Sequence, residues 1–416
     1  MSNSYKVAPA TGRVRQFGSN HRWVVLAVGV AAQASFAAAF SGLPVLGVLM
    51  RHSYGLTTGE LGFVLGCMAL GVGGSEILWG LLTDWLGDRR VLLAGLLSMG
   101  GMLAVMSLFV LPDGVHAAGA TTLAVSFVLV GALGASVNSS SGRAIMTWFT
   151  DGRRGFAMSI RQTAIPAGGA LGAAILPRLA TTWGFGGVYA VLAALCLASA
   201  LATWIWLHEA PVDKAAAKQG PAADTRSPLR RPDIWRLALA SGLLTAPQIA
   251  VLTFAGIYLH DVRHLGIAAI AEVLIVVQLG GGILRVWSGR QSDKYRNRRT
   301  FVRVFGLLAG LSMMGVALAG QWPTDVVLGL ICLSGLFANA WHGVAFTEIA
   351  VMAGAARAGS AIGLEGTTIF ASAFLTPLLI PFALASSSWP AVWALIALAA
   401  LVAVPLAPGP VKAGPR

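Results

Sequence analysis

The chain is poor in charge. Of its 416 residues only 11% are Asp, Glu, Lys or Arg, against about 25% in a soluble domain, while 56% are hydrophobic. No soluble domain hides that much apolar surface behind so few charges. A soluble globular enzyme is therefore excluded, and the solvent for most of the chain is lipid. Cysteine is scarce as well. Cys67, Cys196 and Cys332 each sit alone in an apolar run, which offers neither a disulfide framework nor a thiolate metal site; they read as packing residues. The glycine-rich phosphate loop that ends in Gly-Lys-Ser/Thr is missing, so ATP hydrolysis is not the energy source. No segment between the apolar runs gathers nucleophile, metal or acid/base groups as a membrane-embedded enzyme would, and no cofactor is implied. Residues 1 to 21 are polar and basic and lack an apolar core followed by a cleavage site, so no Sec-type signal peptide is read and the first span is its own insertion signal.

What the chain does have is long apolar runs. A helix needs roughly 20 apolar residues to cross about 30 Å of hydrocarbon, and that ruler finds twelve spans, near 22–50, 57–83, 91–111, 119–148, 155–180, 185–207, 234–259, 266–289, 301–320, 325–353, 358–383 and 389–407. The expected fold is all-α and integral to the membrane: a tail at 1–21, a six-helix bundle at 22–207, a linker at 208–233, a second six-helix bundle at 234–407 and a tail at 408–416. The linker contains KAAAKQGPAADTRSP and reads as flexible.

The formal net charge of +13 invites a nucleic-acid reading, which position removes. Of the 29 Lys and Arg, 23 fall on the side that bears both termini, whereas Arg51, Arg178 and Arg263 fall on the other and Arg143, Arg161 and Arg285 lie within spans. Cationic loops stay in the cytoplasm. Both termini are accordingly expected there, in a multi-pass protein of the inner (plasma) membrane, with no nucleic-acid partner and a monomeric state.

The halves repeat. GLLTDWLGDRR, from Gly80 to Arg90, and GRQSDKYRNRR, from Gly289 to Arg299, each follow the second span of a half. They align Gly80 on Gly289, Thr83 on Ser292, Asp84 on Asp293 and the Arg89-Arg90 pair on Arg298-Arg299. Parallel six-helix repeats mark transporters. In such a loop the glycine lets two helices approach closely, the aspartate caps or pairs at a helix end and the arginine pair holds the basic surface, so Gly80, Asp84, Arg89, Arg90, Gly289 and Asp293 are read as a gating element. GLLTDWLGDRR also resembles the loop of the major facilitator superfamily, with Trp85 and Asp88 at positions that are usually basic. The stretch WFTDGRRGFAMSIRQTAIPAGGALG, from Trp148 to Gly172, is similar to the turn between the fourth and fifth helices in the organic-anion and monocarboxylate branches. The resemblance implies two six-helix bundles related by a pseudo-twofold axis, rocking about a site at the membrane midplane.

An ionisable side chain within a span is expensive, so by default it is functional or paired. Seven stand out: Glu76, Arg143, Arg161, Glu272, Arg285, Glu348 and Glu365. Glu76 precedes Gly80 by one helical turn, as Arg285 precedes Gly289, so the two occupy equivalent places with opposite charge. Aligning Gly155 on Gly359 sets Arg161 against Glu365 in the same way. Resemblance to monocarboxylate and oxalate transporters implies that Arg285 engages a substrate carboxylate, which its permanently charged, forked guanidinium suits; an ion pair with Glu76 or a side chain snorkelling to the interface is the alternative. Arg143 and Arg161 are further candidates for substrate contact. Glu365, then Glu76 and Glu348, are candidates for proton coupling, since a carboxylate desolvated among helices can load and release a proton near neutral pH. Each has an ion pair as its alternative. Gln33, Asn138, Gln248, Asn339 and His342 complete the candidate cavity or else bond between helices. Trp341, Phe337 and Phe346 line a cavity or simply pack. The expected function is a secondary transporter that moves a small organic anion with protons, as a symporter, by alternating access. The alternative is proton-driven efflux of an amphipathic or drug-like compound.

Overall fold

A computed structural model describes residues 20–112, 118–150, 152–209 and 226–410. Most of the expected tails, and residues 210–225 of the expected linker, lie outside the described residues. Among the described residues eleven helical segments are long and apolar enough to cross a membrane. One of them, Arg154–Trp206, is broken at Gly184, where φ is 64° and ψ is −171°, a conformation that glycine reaches without the clash a Cβ would bring. The spans are therefore twelve, labelled α1 (His21–Ser53), α2 (Thr58–Leu86), α3 (Asp88–Phe109), α4 (Ala120–Trp148), α5 (154–183), α6 (185–206), α7 (Pro232–Asp261), α8 (Ile267–Tyr295), α9 (Arg298–Leu318), α10 (Thr324–Ala353), α11 (Ala358–Ser386) and α12 (Trp389–Leu406). Among the described residues there is no strand.

The helices outrun the apolar runs at their polar ends. α1 continues past Phe40 through a 3-10 turn at Leu43–Leu46 to Ser53. α3 begins at Asp88 rather than at 91, because Gly87 turns the chain with φ at 92° and a carboxylate in the first turn favours the positive end of the helix dipole. Arg89 and Arg90 thus belong to the first turn of α3, as Arg298 and Arg299 belong to that of α9. α2 opens with a reciprocal cap: the Glu60 amide donates to the Thr57 hydroxyl at 3.2 Å and the Thr57 amide to the Glu60 carboxylate at 2.8 Å, satisfying two donors that a helix start leaves free.

Packing repeats with the sequence. In the first half α1 lies against α5, α2 against α4 and α3 against α6; in the second α7 lies against α11, α8 against α10 and α9 against α12. The halves meet along two seams, α2 with α11 and α5 with α8. Large apolar side chains such as Phe109, Trp183, Ile283, Leu318 and Phe382 point outward, as a lipid-facing surface requires. The buried polar and charged residues concentrate on α1, α2, α4 and α5 and on α7, α8, α10 and α11, which leaves α3, α6, α9 and α12 as outer supports.

Candidate functional site

On the face that bears the arginine-rich turns, both seams are closed by the same device. The first-turn N–H groups of a helix lack intrahelical partners, and here each seam helix receives a carboxylate from the opposite bundle. Asp84, near the end of α2, accepts from the amides of Gly359 and Ser360 of α11, each at 2.8 Å. Asp293, near the end of α8, accepts from the amides of Gly155 at 3.1 Å and Phe156 at 2.9 Å in α5. Gly80 and Gly289 make this possible. A Cβ at Gly80 would stand 2.5 Å from the Gly359 carbonyl oxygen, and one at Gly289 would stand 2.4 Å from that of Gly155, so only glycine allows either crossing. Bonds to a carboxylate are stronger than bonds between neutral groups, and any motion that parts the bundles on this face must break all four.

Deeper within the bundles lie two polar networks. In the first half Glu76 is fully buried and accepts from the Asn138 amide at 3.2 Å and the Ser139 hydroxyl at 3.1 Å. Asn138 turns its carbonyl to Arg161, whose guanidinium also donates to Gln33 Oε1 at 2.9 Å, the Ser141 hydroxyl at 2.8 Å and the Asn138 main-chain carbonyl at 2.7 Å. In the second half Arg285 donates to the Asn339 side-chain carbonyl at 2.7 Å and its main-chain carbonyl at 2.9 Å. Gln248 donates to Asn339 at 2.9 Å, and its carbonyl oxygen lies 2.7 Å from His342 Nε2. Glu365 is wholly buried and accepts from the Ser241 hydroxyl at 2.7 Å. One bond joins the networks across the seam: Arg285 donates to the main-chain carbonyl of Gln162 at 2.9 Å, next along the chain from Arg161.

Two features set these networks apart from an ordinary packed core. Neither Arg161 nor Arg285 forms an ion pair among the described residues; every acceptor they use is neutral. Among the described residues several buried polar atoms also lack partners: Gln33 Nε2, both side-chain polar atoms of Gln162, Ser159 Oγ and Glu365 Oε2. Buried polar groups in folded proteins are almost always satisfied, and a buried cation is costly unless its charge is met. Forked guanidinium donors of this kind match oxygen atoms that carry negative charge.

The other expected residues fall elsewhere. Arg143 does not join Arg161 and Arg285: it lies at the gate, donating to Asp88 at 2.8 Å and standing 3.4 Å from Asp84, because α4 carries it toward the basic face. Glu348 is paired with Arg299 at 2.6 Å near the same face, and Glu272 is exposed on α8. Arg89 donates to the Trp204 carbonyl at 2.6 Å and its amide to Glu209 at 3.1 Å, which ties α3 to the end of α6, while Arg90 is exposed. Trp341 is buried and stacks on His342 with ring centroids 3.9 Å apart. Ser139, Ser141, Ser241 and Gln162 are partners that sequence reading missed. Hydroxyls are common in spans, where they bond to their own helix, and only the fold shows which face a charge.

Comparison with known proteins agrees with the geometry. The family model described as Major Facilitator Superfamily matches residues 27–370. An MFS-type transporter of Mycobacterium tuberculosis, named as uncharacterized, is 28% identical over 395 residues, covering 94% of this chain and 86% of the relative. A probable sulfoacetate transporter of Cupriavidus necator is 25% identical over 318 residues, covering 70% of each. Among solved structures, the proton:xylose symporter XylE superposes with a TM-score of 0.78 at 15% identity, covering 93% of this chain and 95% of that one; at that identity the likeness speaks for the fold alone.

Proposed function

The chain belongs to the major facilitator superfamily and is a multi-pass membrane transporter, and we propose that its cargo is a small organic anion, carried together with protons across the cytoplasmic membrane. The observation that carries this reading is Arg285: a buried guanidinium bonded, among the described residues, only to neutral oxygens, one of them the main-chain carbonyl of Gln162, whose side-chain amide has no partner there. An anionic group of the cargo supplies the missing charge, and its oxygens match the forked donors. Arg161 is the second anion contact, with Gln33, Asn138, Asn339 and His342 as polar lining. A cargo of the carboxylate or sulfonate type fits this lining, in keeping with the name of the Cupriavidus relative.

For the coupling proton the proposed carrier is Glu365, whose Oε2 has no partner and which forms no ion pair among the described residues. Glu76 is next in line. A carboxyl that binds a proton in one state of the transporter and releases it in another couples the gradient to movement of cargo. By charge asymmetry of the loops, the basic face with both termini is cytoplasmic. The structure then corresponds to the state closed toward the cytoplasm.

The experiment is a ligand-induced thermal-shift screen of the purified protein against carboxylates, sulfonates and organic cations. Anions are expected to stabilise the protein and cations to leave it unmoved; the reverse pattern transfers the reading to an exporter of cationic compounds. In proteoliposomes loaded with a stabilising anion, Glu365→Gln is expected to preserve exchange of that anion but abolish its accumulation under an imposed pH gradient. Accumulation by the variant assigns the proton to another group. Reporter fusions near residue 218 and near Asp325 are expected to mark opposite compartments, and agreement between them overturns the orientation.

A further inference from the structure

The α5–α8 seam carries two cavities that the transport reading does not use. The larger, about 660 Å³, is a slot walled by Thr163, Pro166 and Ala170 of α5 and by Gln278, Leu279, Gly282, Ile283, Val286 and Trp287 of α8. It opens to the lipid, for Leu279 is 67% exposed and Ile283 73%. The second, about 420 Å³, lies at the basic end of the same seam and is lined by Trp23, Gly152, Arg153, Phe156 and Arg290. Phe156 and Arg290 border both, so the two adjoin: an apolar slot lies next to a cationic, aromatic mouth.

We propose that this seam binds one anionic phospholipid from the leaflet at the basic face, its phosphate held between Arg153 and Arg290 and an acyl chain lying in the slot. Charge complementarity argues for that occupant. Arg153 and Arg290 come from opposite bundles, both are exposed, and neither guanidinium has a hydrogen-bond or ion-pair partner among the described residues. The nearby carboxylate of Asp293 is already engaged by the Gly155 and Phe156 amides and by Arg298 at 3.1 Å. Trp23 at the rim is half-exposed, in the place where amphipathic rings sit at headgroup level. Length agrees as well. The thirteen residues from Gln278 to Arg290 cover about 18 Å of helix axis, close to the roughly 15 Å of hydrocarbon in one leaflet.

The consequence is regulatory. A phosphate shared by Arg153 and Arg290 clamps the first bundle to the second beside the Asp293 cap, and the clamp is lost when the bundles part on this face. Anionic lipid therefore favours the state closed there. This inference needs the membrane fold and the seam but no particular cargo, so it stands or falls apart from the anion reading.

The test places the purified full chain in lipid discs made of equal parts phosphatidylglycerol and phosphatidylcholine, and counts the lipids retained by native mass spectrometry. Two arginines near an anionic headgroup predict about thirtyfold enrichment of one phosphatidylglycerol over phosphatidylcholine. Either Arg153→Gln or Arg290→Gln should reduce it to about fivefold, and the double variant should remove it. Gly282→Phe keeps both arginines but fills the slot, where a Cβ meets nothing within 4 Å, and should also abolish retention. Soluble glycerol phosphate should not compete, which separates a lipid from a free phosphate. Hydrogen exchange at the Gly155 and Phe156 amides should slow when phosphatidylglycerol is present. Equal retention of the two lipids, or retention by the double variant, overturns the proposal, as does competition by glycerol phosphate together with retention by Gly282→Phe.

Discussion

The two bundles put polar side chains on the same four helices and wire them differently. The first half has Gln33 on α1, Glu76 on α2, Asn138 on α4 and Arg161 on α5; the second has Gln248 on α7, Arg285 on α8, Asn339 on α10 and Glu365 on α11. The amides keep their places, while acid and base trade theirs. In the first half Asn138 serves both charges, donating to Glu76 and accepting from Arg161, so opposite charges close one circuit. In the second half Asn339 serves Arg285 and Gln248, and Glu365 is bonded to Ser241 on α7 instead. A linked pair is nearly neutral as a unit and suits a scaffold. A divided pair leaves each charge to answer a separate partner, which is what binding an anion at one residue and a proton at another requires.

The comparison breaks first, and most visibly, in stability. Arg161→Met strips the cation from a circuit that still holds Glu76, and an uncompensated buried charge costs about 3–5 kcal/mol. Adding Glu76→Gln should restore much of that loss. For Arg285→Met, adding Glu365→Gln should restore nothing, because the two share no partner. Thermal unfolding of the single and double variants in one detergent measures both couplings; equal coupling in the two halves removes the distinction between scaffold and working site.

Binding sharpens the same contrast with a smaller effect. Arg285→Lys retains a positive charge but loses the planar fork, at a cost of about one charge-assisted bond, so affinity for a stabilising anion should fall about tenfold to a hundredfold by calorimetry. Arg161→Lys should weaken binding less and stability more. Unchanged affinity in Arg285→Lys moves the principal anion contact to Arg161.

The spans and the repeat were legible in the sequence, and the reason is the solvent. Lipid imposes a length and tolerates few charges, so the twelve apolar runs match α1 to α12 to within a few residues except at the polar ends, where helices continue past the hydrocarbon. The aspartates were legible for a related reason: Asp84 and Asp293 recur in equivalent turns, and both meet a helix start 2.8–3.1 Å away. The alignment of Gly155 on Gly359 has a physical counterpart, since these two residues supply the equivalent amides. What the sequence did not disclose was direction around each helix. Arg143 and Arg161 both lie within apolar spans along the chain, yet one faces Asp84 and Asp88 and the other Asn138 and Gln33. Facing depends on crossing angles and on the glycines that set them, and those emerge only when the helices pack.

The smallest effect concerns the gate, where the halves are most alike. Asp84→Asn and Asp293→Asn each keep one carbonyl oxygen but turn an amide N–H₂ toward a backbone N–H, so each loses roughly one bond's net contribution, about 1 kcal/mol or fivefold in the opening equilibrium. Cargo affinity should hardly change, since neither residue belongs to the networks around Arg161 and Arg285, whereas transport should slow because the closed state of this face is less populated. Hydrogen exchange reads the opening directly, at Gly359 and Ser360 for one cap and at Gly155 and Phe156 for the other. If the bundles rock as rigid bodies, loosening either cap loosens both seams, and Asp84→Asn should speed exchange at Gly155 about as much as at Gly359. If each seam frays by itself, the fivefold rise stays with the altered cap. The Arg285 to Gln162 bond, which spans the α5–α8 seam at 2.9 Å, then keeps that seam shut when Asp84 is changed, and the symmetry of the gate is one of sequence without being one of motion.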